Sequence, residues 1–179
     1  QMLACAQKTR PLVHALDNPV TSNACANSIL AAGGTAIMAQ DEREVAEITS
    51  HASALALNMG ALRAQEAMLL AARTSKRLSH PVVLDPVAAG ASRLRSEMCG
   101  RLLTEGLVSV IRGNASEIRA LAAGQENAAG VEVDALDRVT EQNLAASAAW
   151  PRPFSRRTVA LARLTRGLCR HTPGLRTAR

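Results

Sequence analysis

Aromatic residues are nearly missing from this chain. They make up 1% of 179 residues, Trp150 and Phe154 alone, with no tyrosine. A core of stacked rings is excluded, and the interior must be filled with Ala, Leu, Val, Ile and Met. Long apolar runs are missing too, none approaching the ~20 residues of a membrane-spanning helix. The opening Gln1-Met2-Leu3-Ala4-Cys5 has no basic stretch followed by an apolar one, so no secretory signal is read there. The leading Gln suggests a trimmed chain. Cysteine pairs are absent: Cys5, Cys25, Cys99 and Cys169 stand far apart. That argues against a zinc ribbon or a redox dithiol and predicts reduced, mostly buried thiols in a cytoplasmic setting. Neither GxGxxG nor GxxxxGK[ST] occurs, and no Ser/Cys–His–acid spacing stands out.

Acid is missing from one region only. Residues 1–149 carry 13 Lys and Arg against 15 Asp and Glu, whereas residues 150–179 carry 8 Arg and no acid. The formal charge of +6 therefore belongs to the last thirty residues and is no sign that the folded part binds nucleic acid. Hydrophobic residues at 47% and charged residues at 20% are globular proportions, and the length suits one domain.

Two periodicities alternate along residues 1–123. Short β-rich runs at 12–16, 35–39, 54–59, 81–87 and 107–112 are separated by stretches of helical spacing at 20–32, 42–51, 61–78, 94–104 and 115–123. Ala24, Cys25, Ser28, Ile29 and Ala32 share one helical face. So do Leu62, Ala67, Leu70, Ala71 and Leu78. Gly33-Gly34 is placed to stop a helix. Five strand–helix units predict an α/β fold with a mostly parallel sheet, helices on both faces and strands of near-continuous apolar character such as Val82-Val83-Leu84. A further amphipathic helix is predicted over 133–149.

Parallel sheets bind ligands beyond the carboxyl ends of their strands. The fifth run ends in Arg112-Gly113-Asn114, and Glu117 follows three residues after Asn114. Asn114 and Glu117 are spaced as a capping box. The same residues could also serve chemistry: Arg112 pairing with phosphate, Glu117 orienting water around Mg2+, with the helix N-terminus favouring anions. Asp85, before Pro86, is either a turn residue or a second carboxylate for that ion. Met38 ends the second run, as core filler or as a wall for a heteroaromatic ligand. Asn18, Thr21 and Asn23 suit a helix start. His14, within an apolar run, reads as a satisfied core histidine.

These pieces together resemble a known family. The run Pro11-Leu12-Val13-His14, then Asn18-Pro19-Val20-Thr21-Ser22-Asn23-Ala24-Cys25-Ala26-Asn27, is similar to the N-terminal signature of hydroxyethylthiazole kinase, the thiamine-salvage enzyme. So are Ala36-Ile37-Met38-Ala39, Ala56-Leu57-Asn58-Met59-Gly60, Pro81 to Val87 around Asp85, and Arg112 to Glu117. The likeness spans about residues 11–124. It implies a ribokinase-like fold and transfer of the ATP γ-phosphate to 4-methyl-5-(2-hydroxyethyl)thiazole with Mg2+. It also implies a homotrimer with sites between subunits. By position, Met38 and Asn18 would bind the thiazole, Arg112 the ATP phosphates, and Asp85 and Glu117 the Mg2+ ion. Met38 and the 18–27 motif argue against a pyridoxal or hydroxymethylpyrimidine kinase of the same fold.

Departures accompany the likeness. Asp17 stands where the family usually has Thr, and Ala15 where a larger residue is common. The Gly-Thr-Gly-Cys/Asp motif of the family, which supplies phosphoryl-binding N–H groups and the residue that activates the alcohol, does not occur. Cys169 does not match it, so no catalytic residue is assigned. The expectation is a C-terminally truncated ribokinase-like domain over 1–149, impaired as a kinase or reduced to a ligand-binding remnant. An Arg-rich tail would follow over 150–179. Its abrupt onset and lack of acid are what out-of-frame translation would give. A divergent tail is the alternative, and a nucleic-acid- or membrane-binding extension is argued against by the missing aromatics and amphipathic order.

Overall fold

The computed structural model describes residues 2–123 and 159–163. The helix expected at 133–149 and Cys169 lie outside the described residues. The elements are α1 (Met2–Thr9), β1 (Leu12–Leu16), α2 (Ser22–Ala31), β2 (Thr35–Ile37), α3 (Val45–His51), β3 (Ala54–Asn58), a 3-10 turn (Leu62–Ala64), α4 (Gln65–Leu78), β4 (Val82–Asp85), α5 (Arg93–Thr104), β5 (Val110–Asn114), α6 (Ala115–Ala123) and β6 (Val159–Arg163). All neighbouring strands pair in parallel, in the order β2-β1-β3-β4-β5-β6. The α/β parallel architecture read from the periodicity is the observed one. Five residues of the segment set apart as an Arg-rich tail form β6, and α1 was not anticipated.

From β1 the chain steps one way to β2 and then works back through β3, β4, β5 and β6. Right-handed crossovers place the helices of a leftward and a rightward step on opposite faces. The order reverses between β1 and β3, the crevice where such sheets take ligands.

Alternation along the strands separates two faces. Leu16, Leu55, Leu57, Val82, Leu84 and Ile111 are all but completely buried and form one core with residues of α4, α5 and α6. Methionine takes the place of aromatics there: Met59, Met68 and Met98 fill the bulky positions. The opposite face presents Ala15, Ala56, Val83, Asp85 and Arg112. Among the described residues α2 lies over this face, none of its own residues is fully buried, and Val83 is 36% exposed. Both faces thus carry helices, and among the described residues the second is covered more sparsely than the first.

Several boundaries differ from the sequence reading for identifiable reasons. The buried residues of α4 are Ala67, Met68, Leu69, Ala71, Ala72, Thr74 and Ser75, while Leu70 and Leu78 of the expected stripe are 39% and 40% exposed. The helix opens at Gln65 after the 3-10 turn, and Ala67 and Ala71 of the expected stripe are among its buried residues. The fifth strand was expected over 107–112. Instead Leu107 closes α5: its N–H donates to Leu102 O at 3.0 Å and the Gly106 N–H to Leu103 O at 2.9 Å, with Gly106 at φ +62. This is a Schellman cap, whose left-handed position favours glycine. At its other end β5 runs on to Asn114 because β6 pairs with it as far as Asn114↔Arg163. Gly33-Gly34 stops α2 by the same bonding, to Leu30 O and Ile29 O.

Candidate functional site

The register lines up one row of side chains across the carboxyl edge. Leu16 pairs with Leu57, so Asp17 lies beside Asn58; Asn58 pairs with Asp85. Leu84 pairs with Ile111, so Asp85 lies beside Arg112. Asp17, Asn58, Asp85 and Arg112 therefore stand in sequence over four adjacent strands, on the less covered face.

At the reversal point the loops after β1 and β3 touch. Asn58 Oδ1 accepts the Gly60 N–H at 2.7 Å. A Cβ at Gly60 would meet Asn18 Nδ2 and Asn58 Oδ1, each at 2.8 Å, so this contact requires glycine. Asn18 Oδ1 accepts the Val20 N–H at 3.0 Å, so Asn18 shapes the turn before α2. Thr21 occupies the helix N-cap without making a side-chain cap bond; its hydroxyl instead reaches Asp17 Oδ1 at 3.3 Å.

Met38 follows the last residue of β2 and is half-buried. Its loop is pinned to β1 from both sides. His14, fully buried, is hydrogen-bonded at Nε2 to Ala39 O at 2.9 Å and at Nδ1 to Thr49 Oγ1 at 2.8 Å. The Gln40 side-chain amide donates to Asp17 O at 2.8 Å. His14 is thus the satisfied core histidine expected, and burial pushes its pKa down. The pinning brings Met38 and Asn18 to the ends of neighbouring strands.

Asp85, Arg112 and Glu117 gather at the other end of the row. Arg112 Nη1 donates to Asp85 Oδ2 at 2.7 Å. Burial raises the Asp85 pKa even though the Arg112 guanidinium opposes the rise. Glu117 is 6% exposed. It accepts the Ala88 N–H on Oε1 at 3.0 Å and the Asn114 N–H on Oε2 at 2.8 Å. Asn114 Oδ1 accepts the Glu117 N–H at 2.8 Å in return. The capping box is formed bond for bond, and it also ties the loop after β4 to the start of α6. Burial raises the Glu117 pKa, the two N–H bonds work against the rise, and the charge of Asp85 adds to it. No group of three or more His, Cys, Asp or Glu among the described residues is arranged to hold a metal ion directly.

Two contributors escaped the sequence reading. Arg95, in the first turn of α5, donates through Nη1 to Met59 O at 3.1 Å and Val87 O at 2.8 Å. It straps the loops after β3 and β4 together. No local signal marks it, because its acceptors lie up to 36 residues away in sequence. Cys25 faces the sheet from α2, and its pKa is pushed up to about 11, chiefly by contact with the Asp17 carboxylate. Of the described cysteines, Cys99 is buried, Cys25 is half-buried and Cys5 is exposed, so the expectation of mostly buried thiols holds for one of three.

Between α2 and the sheet lies a cavity of about 460 Å³, with Ala56 and Val83 on its floor, Ala24, Cys25, Ser28 and Ile29 on its roof, and Asp17, Asp85 and Arg112 along one side. The helical face read from the sequence through Ala24, Cys25, Ser28 and Ile29 is the face turned to this space. Met38, Asn18 and Glu117 do not line it.

Comparison with known proteins identifies a family. The hydroxyethylthiazole kinase family profile matches residues 3–155. A hydroxyethylthiazole kinase of Clostridium acetobutylicum is 45% identical over 159 residues, 88% of this chain and 58% of the relative. One of Desulfovibrio desulfuricans is 45% identical over 162 residues, 89% of this chain and 57% of the relative. The solved hydroxyethylthiazole kinase of Pyrococcus horikoshii superposes with a TM-score of 0.66 at 38% identity, covering 69% of this chain and 49% of that one. The chain spans about half the length of the curated relatives it matches. By the profile match and these relatives, the chain belongs to the hydroxyethylthiazole kinase family.

Proposed function

We propose that this chain carries the thiazole- and phosphate-binding edge of an ATP-dependent alcohol kinase acting on 4-methyl-5-(2-hydroxyethyl)thiazole in thiamine salvage. The observation that carries the reading is the row Asp17–Asn58–Asp85–Arg112, with the N-terminus of α6 beside it. Arg112 would pair with phosphate oxygens, exchanging part of its contact with Asp85 for the nucleotide. Met38 and Asn18 would hold the thiazole at the far end. Three strand spacings, ~14 Å, separate β1 from β5, a gap that the triphosphate and the hydroxyethyl arm would span together.

The residues suit a hydrated Mg2+ ion held partly by phosphate, as this ion keeps several waters. Asp85 has one oxygen on Arg112 and both Glu117 oxygens take backbone N–H groups, so both acids would act on the water shell. When bound, the ion would neutralise charge on the transferring phosphoryl group. Glu117 keeps the loops around it rigid, and Arg95 fixes the carbonyl edge. The homotrimer of the family and a cytoplasmic setting, where ATP is supplied, belong to the same proposal.

The Gly-Thr-Gly motif is not among the 179 residues. Losing even one such donor costs roughly 10²–10³ in rate. The expected behaviour is ligand binding with turnover far below that of a full-length relative. Thermal unfolding with ATP–Mg2+, with the thiazole alcohol and with both tests the binding. Each ligand should stabilise, and Arg112→Ala should abolish the ATP effect alone. Absence of both shifts sinks the assignment, and turnover equal to a full-length relative refutes the need for the motif.

A further inference from the structure

One peptide unit at the carboxyl edge is gripped at both ends by opposite charges. Arg95 Nη1 donates to Val87 O at 2.8 Å, and Glu117 Oε1 accepts the N–H of the next residue, Ala88, at 3.0 Å. Carbonyl and amide belong to the same Val87–Ala88 peptide, so the cation and the anion polarise it in the same sense. The hydrogen bonds run on at either end. Arg95 Nη1 also donates to Met59 O at 3.1 Å, and Glu117 Oε2 accepts the Asn114 N–H at 2.8 Å. The loops after β3 and β4 and the start of α6 are thereby joined in one relay. Local preference does not explain it. Ala88 is buried and held at φ +55, in the left-handed region that a Cβ disfavours. Arg95 lies in the first turn of α5, where the helix dipole disfavours a cation and no acidic residue shares the turn. The relay is also closely seated: a Cβ at Gly113, next to Arg112, would lie 3.0 Å from Glu117 Oε2 and 3.3 Å from Pro86 Cγ.

We infer that Arg95 is a positioning residue for the phosphate end of the edge: acting through the Val87–Ala88 peptide, it holds the Glu117 carboxylate and the loop after Asp85 in place beside Arg112. The consequence for nucleotide binding rests on the phosphoryl-transfer reading, whereas the relay itself is a property of the ligand-free chain. The loop after β3 keeps ties of its own, the Met59 N–H to Asp85 O at 3.0 Å and the Gly60 N–H to Asn58 Oδ1 at 2.7 Å. Loss of Arg95 should therefore reach the phosphate end and spare the thiazole end at Met38 and Asn18.

Amide hydrogen exchange on the ligand-free full chain, followed by NMR, tests the relay. Arg95→Met should speed exchange at Ala88, and at Asn114 further along the relay, by roughly tenfold or more, as a local opening does, and leave Leu57 in β3 unchanged. Ala88→Gly added to that variant removes the backbone strain and should recover part of the protection at both positions. Calorimetry reads the consequence. Arg95→Met should weaken ATP–Mg2+ binding by roughly tenfold or more, the usual size for loss of an outer support, and leave the affinity for the thiazole alcohol unchanged. Should Arg95→Met not fold, Arg95→Gln, with a shorter and neutral donor, should show the same order of effects. Unchanged exchange at Asn114, equally faster exchange at Leu57, no recovery with Ala88→Gly, or equal weakening of both ligands each overturns the inference. If the parent chain binds neither ligand, the kinase reading fails, and the exchange rates still decide for or against the relay.

Discussion

The two faces of this six-stranded sheet are built from the same strands and behave as different materials. Toward α4, α5 and α6 the strands offer Leu55, Leu57, Val82, Leu84 and Ile111, packed without exposed surface. Toward α2 they offer small residues, Ala15 and Ala56, then Val83, then the polar row at the edge. A period of two lets one strand serve both purposes: each residue of bulk on one side is flanked by residues of small size or charge on the other. Stability is concentrated on the first face and the proposed ligand chemistry on the second.

Truncation on the packed face should break this contrast most severely. Leu57→Ala should cost about 2–5 kcal/mol in urea unfolding. Val83→Ala on the opposite face should cost under about 1 kcal/mol. An equal loss at Val83 would mean that residues outside the described ones cover it.

Glu117→Ala comes next. It would orphan the N–H groups of Ala88 and Asn114 and should cost on the order of 2–4 kcal/mol. Glu117→Gln keeps one acceptor oxygen and should lose less, and a loss equal to that of the alanine variant would contradict the paired bonding.

Acid sharpens the comparison through His14. Its folded pKa is pushed below the ordinary value, so on acidification the unfolded chain takes up this proton first. The contribution is complete above pH about 6.5 and is lost as pH falls through the folded pKa. Asp85 and Glu117, with raised pKa values, act in the opposite sense: their protonation favours the folded state below their folded pKa. The His14 contribution is therefore read as the difference between parent and His14→Gln along a pH series of unfolding free energies. Parallel curves would refute it.

Arg112→Ala should be the mildest for stability. Its ion pair is half-exposed, and such pairs contribute about 0–1 kcal/mol. The Asp85 pKa, losing its guanidinium partner, should rise further, visible in the carboxyl carbon shift on titration.

What the sequence disclosed was whatever its neighbours in the chain decide. The capping box from Asn114 to Glu117 was legible because three residues contain it. So was His14, since an apolar run on both sides predicts burial. The α2 face was legible from spacing alone. Arg95 was not, because its two acceptors are brought to it by the meeting of β3 and β4. Leu107 misled for a related reason: an apolar residue before a strand and one closing a helix look alike until the cap forms. The extension of β5 to Asn114 was hidden because its cause, β6, lies 45 residues further along the chain, from Asn114 to Val159. The cavity under α2 could not be read either, as it depends on α2 reaching back over β1.

That distant pairing has one more effect. Parallel contacts far apart along the chain are slow to form, because the two distant segments must meet before any bond repays the entropy of bringing them together. Until β6 arrives, β5 is the outermost strand, with a row of open backbone groups beside Arg112 and Asn114. Such a margin can recruit a strand from a second molecule. The interval before β6 docks is thus the time when nascent copies are most exposed to coaggregation, and Leu161→Pro, which removes a backbone donor from β6, should prolong it.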